Sequence, residues 1–156
     1  MRIVSGRLAV LAAAVAAVAA VVVPAGTASA SAADCAGGAN GFIDISDGGA
    51  ADYRPVGPEL LWSDGTRVNL FFGTFGGRTR GYAELWNGTW NVPVTGTVWM
   101  DWSRDGGRTW LQCGPFGNPA NKASITSAAQ LTNSSTSWVF RAGGYHNGQQ
   151  ILTGWY

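Results

Sequence analysis

The sequence predicts an all-β protein, folded as a single antiparallel β-sandwich or barrel-like domain of about eight strands, and three observations indicate this class. Large and polar residues alternate over short runs in the second half of the chain, as in strands with one buried face. Clusters of Gly, Asn, Asp and Ser separate these runs at intervals of about 8 to 12 residues. Gly (23 residues) and Trp (8 residues) are abundant and Lys is nearly absent, which favours a rigid β-protein over a helical one.

Residues 1–30 are predicted to be a secretory signal peptide. Arg2 and Arg7 precede an apolar run, Leu8–Val23, which is slightly short for a membrane span of about 20 residues. The small residues of Ala28–Ala30 match a cleavage pattern, and cleavage after Ala32 is the close competitor. A membrane anchor is the alternative interpretation of the run. Cleavage predicts a secreted, extracellular protein with no attachment to a membrane.

Cleavage would also change the charge of the protein. Loss of Arg2 and Arg7 would reduce the ten basic residues to eight, against nine acidic ones, so the mature net charge would be about −1. This balance excludes an electrostatic basis for binding nucleic acid or an anionic membrane. The mature length suits one domain.

Residues 31–58 are predicted to form a flexible, extended N-terminal arm. They are rich in Ala, Gly and Asp, and few apolar side chains offset the entropy that is lost on ordering. One short island, Gly41–Ile45, alternates apolar and polar residues like a strand. The arm is interpreted either as a first edge strand with its linker or as a segment that orders against another protein.

Residues 59–156 are predicted to form the antiparallel β-domain. Gly76-Gly77 ends one strand, and a polar connection, Arg78–Gly81, leads to the next. Asn87-Gly88 is a strong hairpin signal, and Pro93 cannot donate to a ladder, so the returning strand Trp90–Val94 is expected at a sheet edge. The other expected strands are Leu60–Trp62, Val68–Phe72, Tyr82–Trp86, the two runs of the Val98–Cys113 hairpin, Ser124–Thr126, Trp138–Ala142 and Ile151–Trp155.

The Val98–Cys113 hairpin contains the most specific motif of the chain. It resembles an Asp-box, the Ser-x-Asp-x-Gly-x-Thr-Trp hairpin of sialidases and of many secreted β-proteins that are not sialidases. The Asp side chain can bond the turn's own N–H groups, Gly supplies the positive φ, and Trp covers the hairpin. The motif is interpreted as a folding device, since Asp-boxes usually lie away from active sites. Its residues are Ser103, Asp105, Gly107, Thr109 and Trp110.

The chain has two cysteines, Cys35 in the arm and Cys113 at the end of the hairpin. Export favours an oxidised pair, which would attach the arm to the hairpin. Two free thiols, or thiols paired between molecules, are the remaining alternative.

No arrangement of side chains in the sequence predicts an enzyme, a metal site or a cofactor site. His146 lies beside Asn147-Gly148 and is interpreted as a turn residue, without the nucleophile and acid that a triad needs. Glu84 and Asp101 could face each other as a glycosidase pair, but both are expected on a solvated sheet face. Metal-ligand and dinucleotide motifs are missing as well. We therefore expect a non-enzymatic protein without a cofactor.

The eight tryptophans are the main functional hint, because a domain this small cannot bury all of them. Exposed indoles favour protein interfaces or sugar stacking. They are Trp62, Trp86, Trp90, Trp99, Trp102, Trp110, Trp138 and Trp155.

A cleaved signal, a Gly/Asp-rich arm and a Trp-rich β-domain containing WMDWSRDGGRTWLQCGPF make up the plan of this chain. The plan is similar to that of small secreted actinobacterial β-proteins, among them the adaptor subunits of umbrella toxin particles. This resemblance implies an adaptor that bridges other secreted proteins, with an arm that inserts into a lectin-bearing partner and a core that pairs with a repeat-built stalk. The candidate partner-binding residues, in the arm and the expected edge strand, are Phe42, Ile43, Ile45, Trp86, Trp90, Val92 and Val94.

Two other functions remain open at this point. A carbohydrate- or cell-wall-binding module would use Trp86, Trp90 or Trp102 as a stacking platform. A secreted protease inhibitor would present a rigid loop such as Gly114–Pro119.

Overall fold

A computed structural model describes residues 28–156 as two packed β-sheets, which confirms the predicted all-β sandwich. Its strands are β1 (Ala28–Ala30), β2 (Arg54–Leu61), β3 (Arg67–Phe75), β4 (Arg78–Trp86), β5 (Thr97–Ser103), β6 (Leu111–Phe116), β7 (Ser124–Thr126), β8 (Gln130–Leu131), β9 (Val139–His146) and β10 (Gln149–Leu152). A short helix, α1 (Ala32–Ala36), and a 3-10 turn, Ala39–Gly41, lie near the N-terminal end. Most of the predicted signal peptide, residues 1–27, lies outside the described residues. In residues 28–156 no helix is long and apolar enough to cross a bilayer.

The first sheet has the strand order β1-β6-β5-β9-β10 and the second has the order β2-β3-β4-β7, with β8 also pairing with β4. The core lies between them, because alternate residues of each strand point inward. Burial of each large apolar side chain there contributes about 1.5 to 3 kcal/mol. The innermost side chains include Val68, Leu70, Ala83, Leu85, Val98, Met100, Trp102, Phe140 and Ala142.

All the strand pairs among the described residues are antiparallel except one. β1 runs parallel to β6, with Ala28 opposite Leu111 and Ala30 opposite Cys113. β1 therefore lies on the signal-peptide side of the predicted cleavage site, and cleavage after Ala30 or Ala32 would remove it from the sheet.

The segment 31–58 packs along the sandwich and contains more regular structure than the sequence indicates. Ser31 and Asp34 form a capping box at the start of α1. Within the predicted strand-like island, Ile43 forms an isolated antiparallel β-bridge with Ala129. The predicted domain boundary after Pro58 falls inside β2, which begins at Arg54. β2 tolerates its prolines because it is the edge strand of the second sheet.

The predicted disulfide between Cys35 and Cys113 is confirmed. Both residues are fully buried, their Cα atoms lie 6.0 Å apart, and 78 positions separate them in the chain. The bond joins α1 to β6, so the N-terminal segment is attached to the first sheet.

Two predicted connections are wrong. Arg78–Gly81 is the first part of β4, since Gly76 and Gly77 alone, both at positive φ, turn the chain from β3 into β4. Residues 87–94 form a loop and not a hairpin with an edge strand. The Asn87 side chain donates to the main-chain oxygen of Val92 at 2.5 Å and accepts from the Thr89 N–H at 2.7 Å, so it closes the loop locally. The loop then carries the chain across to β5 in the first sheet.

Candidate functional site

A groove of about 680 Å³ lies on the outer face of the second sheet. Strands β2, β3, β4 and β7 form its floor, and the segments around residues 48–53 and 87–90 form its ends. Concave sites that combine aromatic walls with a few polar groups are the usual ligand sites of proteins. The residues that define it are Tyr53, Glu59, Arg67, Asn69, Phe71, Glu84, Trp86 and Trp90.

Strand alternation places the floor residues. On β3, Val68 and Leu70 point into the core, so Arg67, Asn69 and Phe71 point outward. The antiparallel register pairs Arg67 with Trp86 and Asn69 with Glu84 on neighbouring β4. Arg67, Asn69 and Glu84 therefore lie together on the outer face, between the two aromatic ends of the groove. The stretch of β3 from Arg67 to Phe71 is about 13 Å long.

The first aromatic end of the groove is formed by Trp86 and Trp90. Their ring centroids are 5.7 Å apart at an angle of 54°. Trp90 is 80 % exposed, the largest exposure of any large apolar side chain described. The Asn87 N–H binds the main-chain oxygen of Ala123 at 3.3 Å and the Val94 N–H binds that of Lys122 at 2.9 Å, so the loop around Trp90 is held at both ends.

The second aromatic end is formed by Tyr53 and Phe71, which meet edge to face at 5.3 Å. Tyr53 is 58 % exposed, whereas Phe71 is almost buried. Asp52 fixes the segment by accepting from the Thr74 N–H at 2.9 Å, and Gly73 lets Ala50 pack directly on the strand, since a side chain there would collide with it.

The polar floor contains one ion pair and one unpaired carboxylate. Arg67 Nη1 binds Glu59 Oε1 at 2.8 Å and its guanidinium lies 4.6 Å from the centre of the Trp86 ring. Burial raises the pKa of Glu84, and the nearby negative charge of Asp47 raises it further. The Ser124 hydroxyl lowers this pKa in part, although it donates to the Asp47 main-chain oxygen at 2.9 Å.

Two polar atoms of the floor have no hydrogen-bond partner in the protein. They are Arg67 Nε and one end of the Asn69 amide, Oδ1, and both are buried. Buried polar atoms are normally paired, so these two atoms, which lie below the surface of the floor, are exceptions.

The predicted partner-binding residues fall into three groups: those in the groove or its loop, those in a second apolar cluster, and those in the core. Trp86 and Trp90 lie in the groove, and Val92 is 47 % exposed in the same loop as Trp90. Ile43 and Ile45 pack against a second apolar cluster of the protein itself, around Phe71 and Tyr82.

Phe42 and Val94 require a correction. They are 1 % and 2 % exposed and belong to the core, so they offer no surface to a partner. Phe42 meets the Trp102 ring edge to face at 6.0 Å. Trp102 is itself 7 % exposed, so it cannot serve as the sugar platform that was considered for it.

The Ser103–Trp110 turn connects β5 to β6 and contributes nothing to the groove. Asp105 accepts from the Thr109 N–H at 2.9 Å and from the Thr109 hydroxyl at 2.6 Å, and these bonds with those of Ser103 lower its pKa to about 2. Gly107 takes a φ of 86°. The residues of this turn bond to one another, as expected of a structural hairpin.

Glu84 and Asp101 do not share a cleft, and neither lies on a freely solvated face. Glu84 points outward from the second sheet, whereas Asp101 is 1 % exposed on the outer face of the first sheet and binds Arg141 Nε at 2.9 Å. Burial raises the pKa of Asp101, against the lowering effect of Arg141.

His146 differs from the interpretation as a turn residue, because it is only 4 % exposed. Its Nε2 lies 2.7 Å from Asp64 Oδ2 and its Nδ1 lies 2.6 Å from the Thr95 main-chain oxygen. Each ring nitrogen therefore lies against an oxygen atom, and Nδ1 also lies 3.2 Å from the Thr95 hydroxyl oxygen. His146 thus joins the turn of Asp64, the loop of Thr95 and the end of β9, a meeting that the sequence did not indicate.

The sequence signalled Trp86 and Trp90 but not Tyr53, Glu59, Arg67, Asn69 or Phe71. Once their strand is assigned, alternation along it indicates that Arg67, Asn69 and Phe71 all point to the same face.

The loop Gly114–Pro119, which was considered for a protease inhibitor, is shorter than expected. Strand β6 continues through Phe116, so only residues 117–119 lie outside the strand. Among residues 28–156 no three His, Cys, Asp or Glu side chains come together as metal ligands.

No family model, curated protein or solved structure matches the chain. The candidate site is accordingly defined by its geometry.

Proposed function

We propose that this protein is a secreted, non-enzymatic carbohydrate-binding module, and that the groove on the second sheet holds a glycan chain. The observation that carries the proposal is the pair of exposed aromatic side chains, Trp90 and Tyr53, at opposite ends of a polar floor. The buried disulfide supports secretion, because such bonds persist in oxidising compartments.

A glycan suits this groove for a chemical reason. A sugar ring has an apolar face of C–H groups that packs on an indole or phenol ring, and an edge of hydroxyl groups that donate and accept hydrogen bonds. The floor offers matching groups between the rings: the carboxylates of Glu59 and Glu84, the Asn69 amide and the Arg67 guanidinium.

Trp90→Ala tests the proposal, with Tyr145→Ala as the matched control. Both side chains are exposed, but Tyr145 lies on β9, outside the groove. The purified protein should be retained on insoluble chitin, cellulose or peptidoglycan, and Trp90→Ala should weaken that binding about tenfold or more, or 1.4 kcal/mol. Tyr145→Ala should bind like the parent, and both variants should unfold within about 0.5 kcal/mol of it. Absence of retention on all three polymers, or full retention of Trp90→Ala, would contradict the proposal.

A protein-binding adaptor is the second candidate, and the position of β1 favours it. Cleavage after Ala30 or Ala32 would leave the backbone of Leu111–Cys113 without its parallel neighbour. An exposed edge of this kind accepts a strand from another chain. The edge of β2 is less suitable, since Pro55 and Pro58 lack the N–H groups that a new strand needs. An adaptor of this kind would bridge other secreted proteins, such as the subunits of an extracellular toxin particle.

Two forms of the protein separate this candidate from the first. A form that begins at Ser31 should join other chains of the culture supernatant in native mass spectrometry, whereas a form that retains Ala28–Ala30 should not. If the Ser31 form migrates alone, the adaptor function is wrong.

A further inference from the structure

We propose that the groove prefers glycans with free amino groups, such as deacetylated glucosamine polymers, and that the Glu84 carboxylate binds the ammonium group. This inference rests on the proposed function and adds the chemical class of the ligand. It follows from the charges, the aromatic rings and the burial around Glu84.

Glu84 lacks a cationic partner in the groove. Arg67 is the one cationic side chain among the residues that line it, and it is bound to Glu59 at 2.8 Å. The negative neighbour of Glu84, Asp47, is itself paired with Lys122 at 2.7 Å. The lining side chains Glu59, Arg67 and Glu84 therefore leave one negative charge without a counter-charge at the middle of the floor.

Aromatic rings surround the same position. Glu84 lies directly opposite Asn69 on β3 and two residues before Trp86 on β4. The centre of the Trp90 ring lies 5.7 Å from that of the Trp86 ring. The faces of indole rings attract ammonium groups, and they do so more strongly when the site is shielded from water. A carboxylate that shares a groove with two indole rings therefore favours a cation over a neutral amide.

Burial adds to this preference. A half-buried carboxylate without a cationic partner is held in an unfavourable state, and desolvation accordingly raises the pKa of Glu84. An ammonium group placed against it would remove that penalty, whereas an N-acetyl group would leave it. The Arg67–Glu59 pair cannot fulfil this role, because Arg67 is held over the Trp86 ring at 4.6 Å.

Flat sugar rings fit the two aromatic ends better than a single flexible lysine side chain does. Tyr53 and Trp90 are separated along the groove, so a ligand that contacts both must be extended and must present apolar faces at both ends. A chain of amino sugars has this repeated pattern of apolar faces and amines.

Calorimetric titration with glucosamine oligomers and with N-acetylglucosamine oligomers of equal length tests the inference. The parent protein should bind the glucosamine oligomers about tenfold more tightly. Glu84→Gln, which retains the shape but not the charge, should bring the two affinities within about twofold. Its thermal unfolding should occur at or above the parent temperature, because a buried charge has been removed.

The outcomes separate the inference from the function beneath it. Equal binding of both oligomers by the parent, or an unchanged preference in Glu84→Gln, would overturn the amine preference and leave carbohydrate binding in place. Binding of neither oligomer, together with no retention on the insoluble polymers, would overturn both. Binding of poly-lysine in the groove without binding of either oligomer would assign the carboxylate to a protein ligand and would also overturn the inference.

Discussion

Arg141 shows at the scale of single residues why so many tryptophans are present. Its guanidinium lies 4.5 Å from the centre of the Trp155 ring and 5.1 Å from that of Trp110, while its Nε and Nη2 bind the buried Asp101. The two indoles cover an ion pair on the outer face of the first sheet and shield it from water. These two tryptophans therefore stabilise the fold, whereas Trp86 and Trp90 line the groove.

The bond between Asp64 and His146 has a predictable dependence on pH. This hydrogen bond is the main cause that lowers the pKa of Asp64 from 3.8 to about 2. A carboxyl whose pKa is lowered in the folded state stabilises that state above its ordinary pKa, and this stabilisation disappears as the pH falls towards about 2. Asp64→Asn should therefore unfold at a lower temperature than the parent protein near neutral pH.

Thermal unfolding of both proteins at a series of pH values measures this effect. The difference between their unfolding temperatures should shrink as the pH falls from about 4 towards and below 2. Since the other carboxyls are shared by both proteins, their titration cancels in the difference. A difference that stays constant down to pH 2 would show that the Asp64 charge does not contribute.

The Ser103–Trp110 turn allows a matched comparison at the scale of one element. Gly106 and Gly107 are adjacent, and both have positive φ, 74° and 86°. A Cβ on Gly106 would meet nothing within 4 Å, whereas a Cβ on Gly107 would lie 2.8 Å from the Trp155 indole. Gly106→Ala should cost about 1 kcal/mol from the backbone conformation alone, and Gly107→Ala should cost about 2 to 4 kcal/mol because Trp155 must also move.

Urea unfolding of the two variants is the measurement. The ratio of the two costs matters more than either value, since both variants share the penalty of the positive φ. Equal costs would mean that Trp155 does not restrict Gly107. Near-ultraviolet circular dichroism should change only in Gly107→Ala, since that variant displaces an indole.

The connection of the N-terminal segment belongs to the scale of the whole molecule. Phe42 lies in the core, Ile43 bridges to Ala129, and the disulfide closes a loop with 78 positions between its ends. Replacing Cys35 and Cys113 together with serine should lower the free energy of unfolding by about 4 kcal/mol, because the unfolded chain is no longer constrained. Urea unfolding of this double variant measures the loss.

Hydrogen exchange shows where the double variant opens. Protection should fall at residues 32–45, which the bond holds, and should persist at residues 54–61, which remain paired with β3. Equal protection throughout, or unchanged protease sensitivity of residues 31–58, would show that noncovalent contacts such as those of Phe42 and Ile43 hold the segment without the disulfide.

Local patterns made part of the fold predictable from the sequence. Alternation along Val68–Phe72 and Tyr82–Trp86 led to strands that form, and the hairpin between Val98 and Cys113 forms as well. Asn87-Gly88 led to a wrong hairpin, since the same dipeptide can start a loop when its Asn side chain bonds the following backbone. Short-range signals specify a turn but not the strand that follows it.

The sequence predicted the class of fold and the Val98–Cys113 hairpin, because both depend on patterns among neighbouring residues. It also predicted the disulfide, because two cysteines in an exported protein commonly pair. The position of each tryptophan, the burial of Phe42 and the meeting of Glu59, Asn69 and Glu84 in one groove were not predicted. They depend on pairs far apart in the chain, such as Glu84 of β4 opposite Thr126 of β7. Alternation tells which residues share a face, but only the packed sheets and the segment that covers them decide which face meets water.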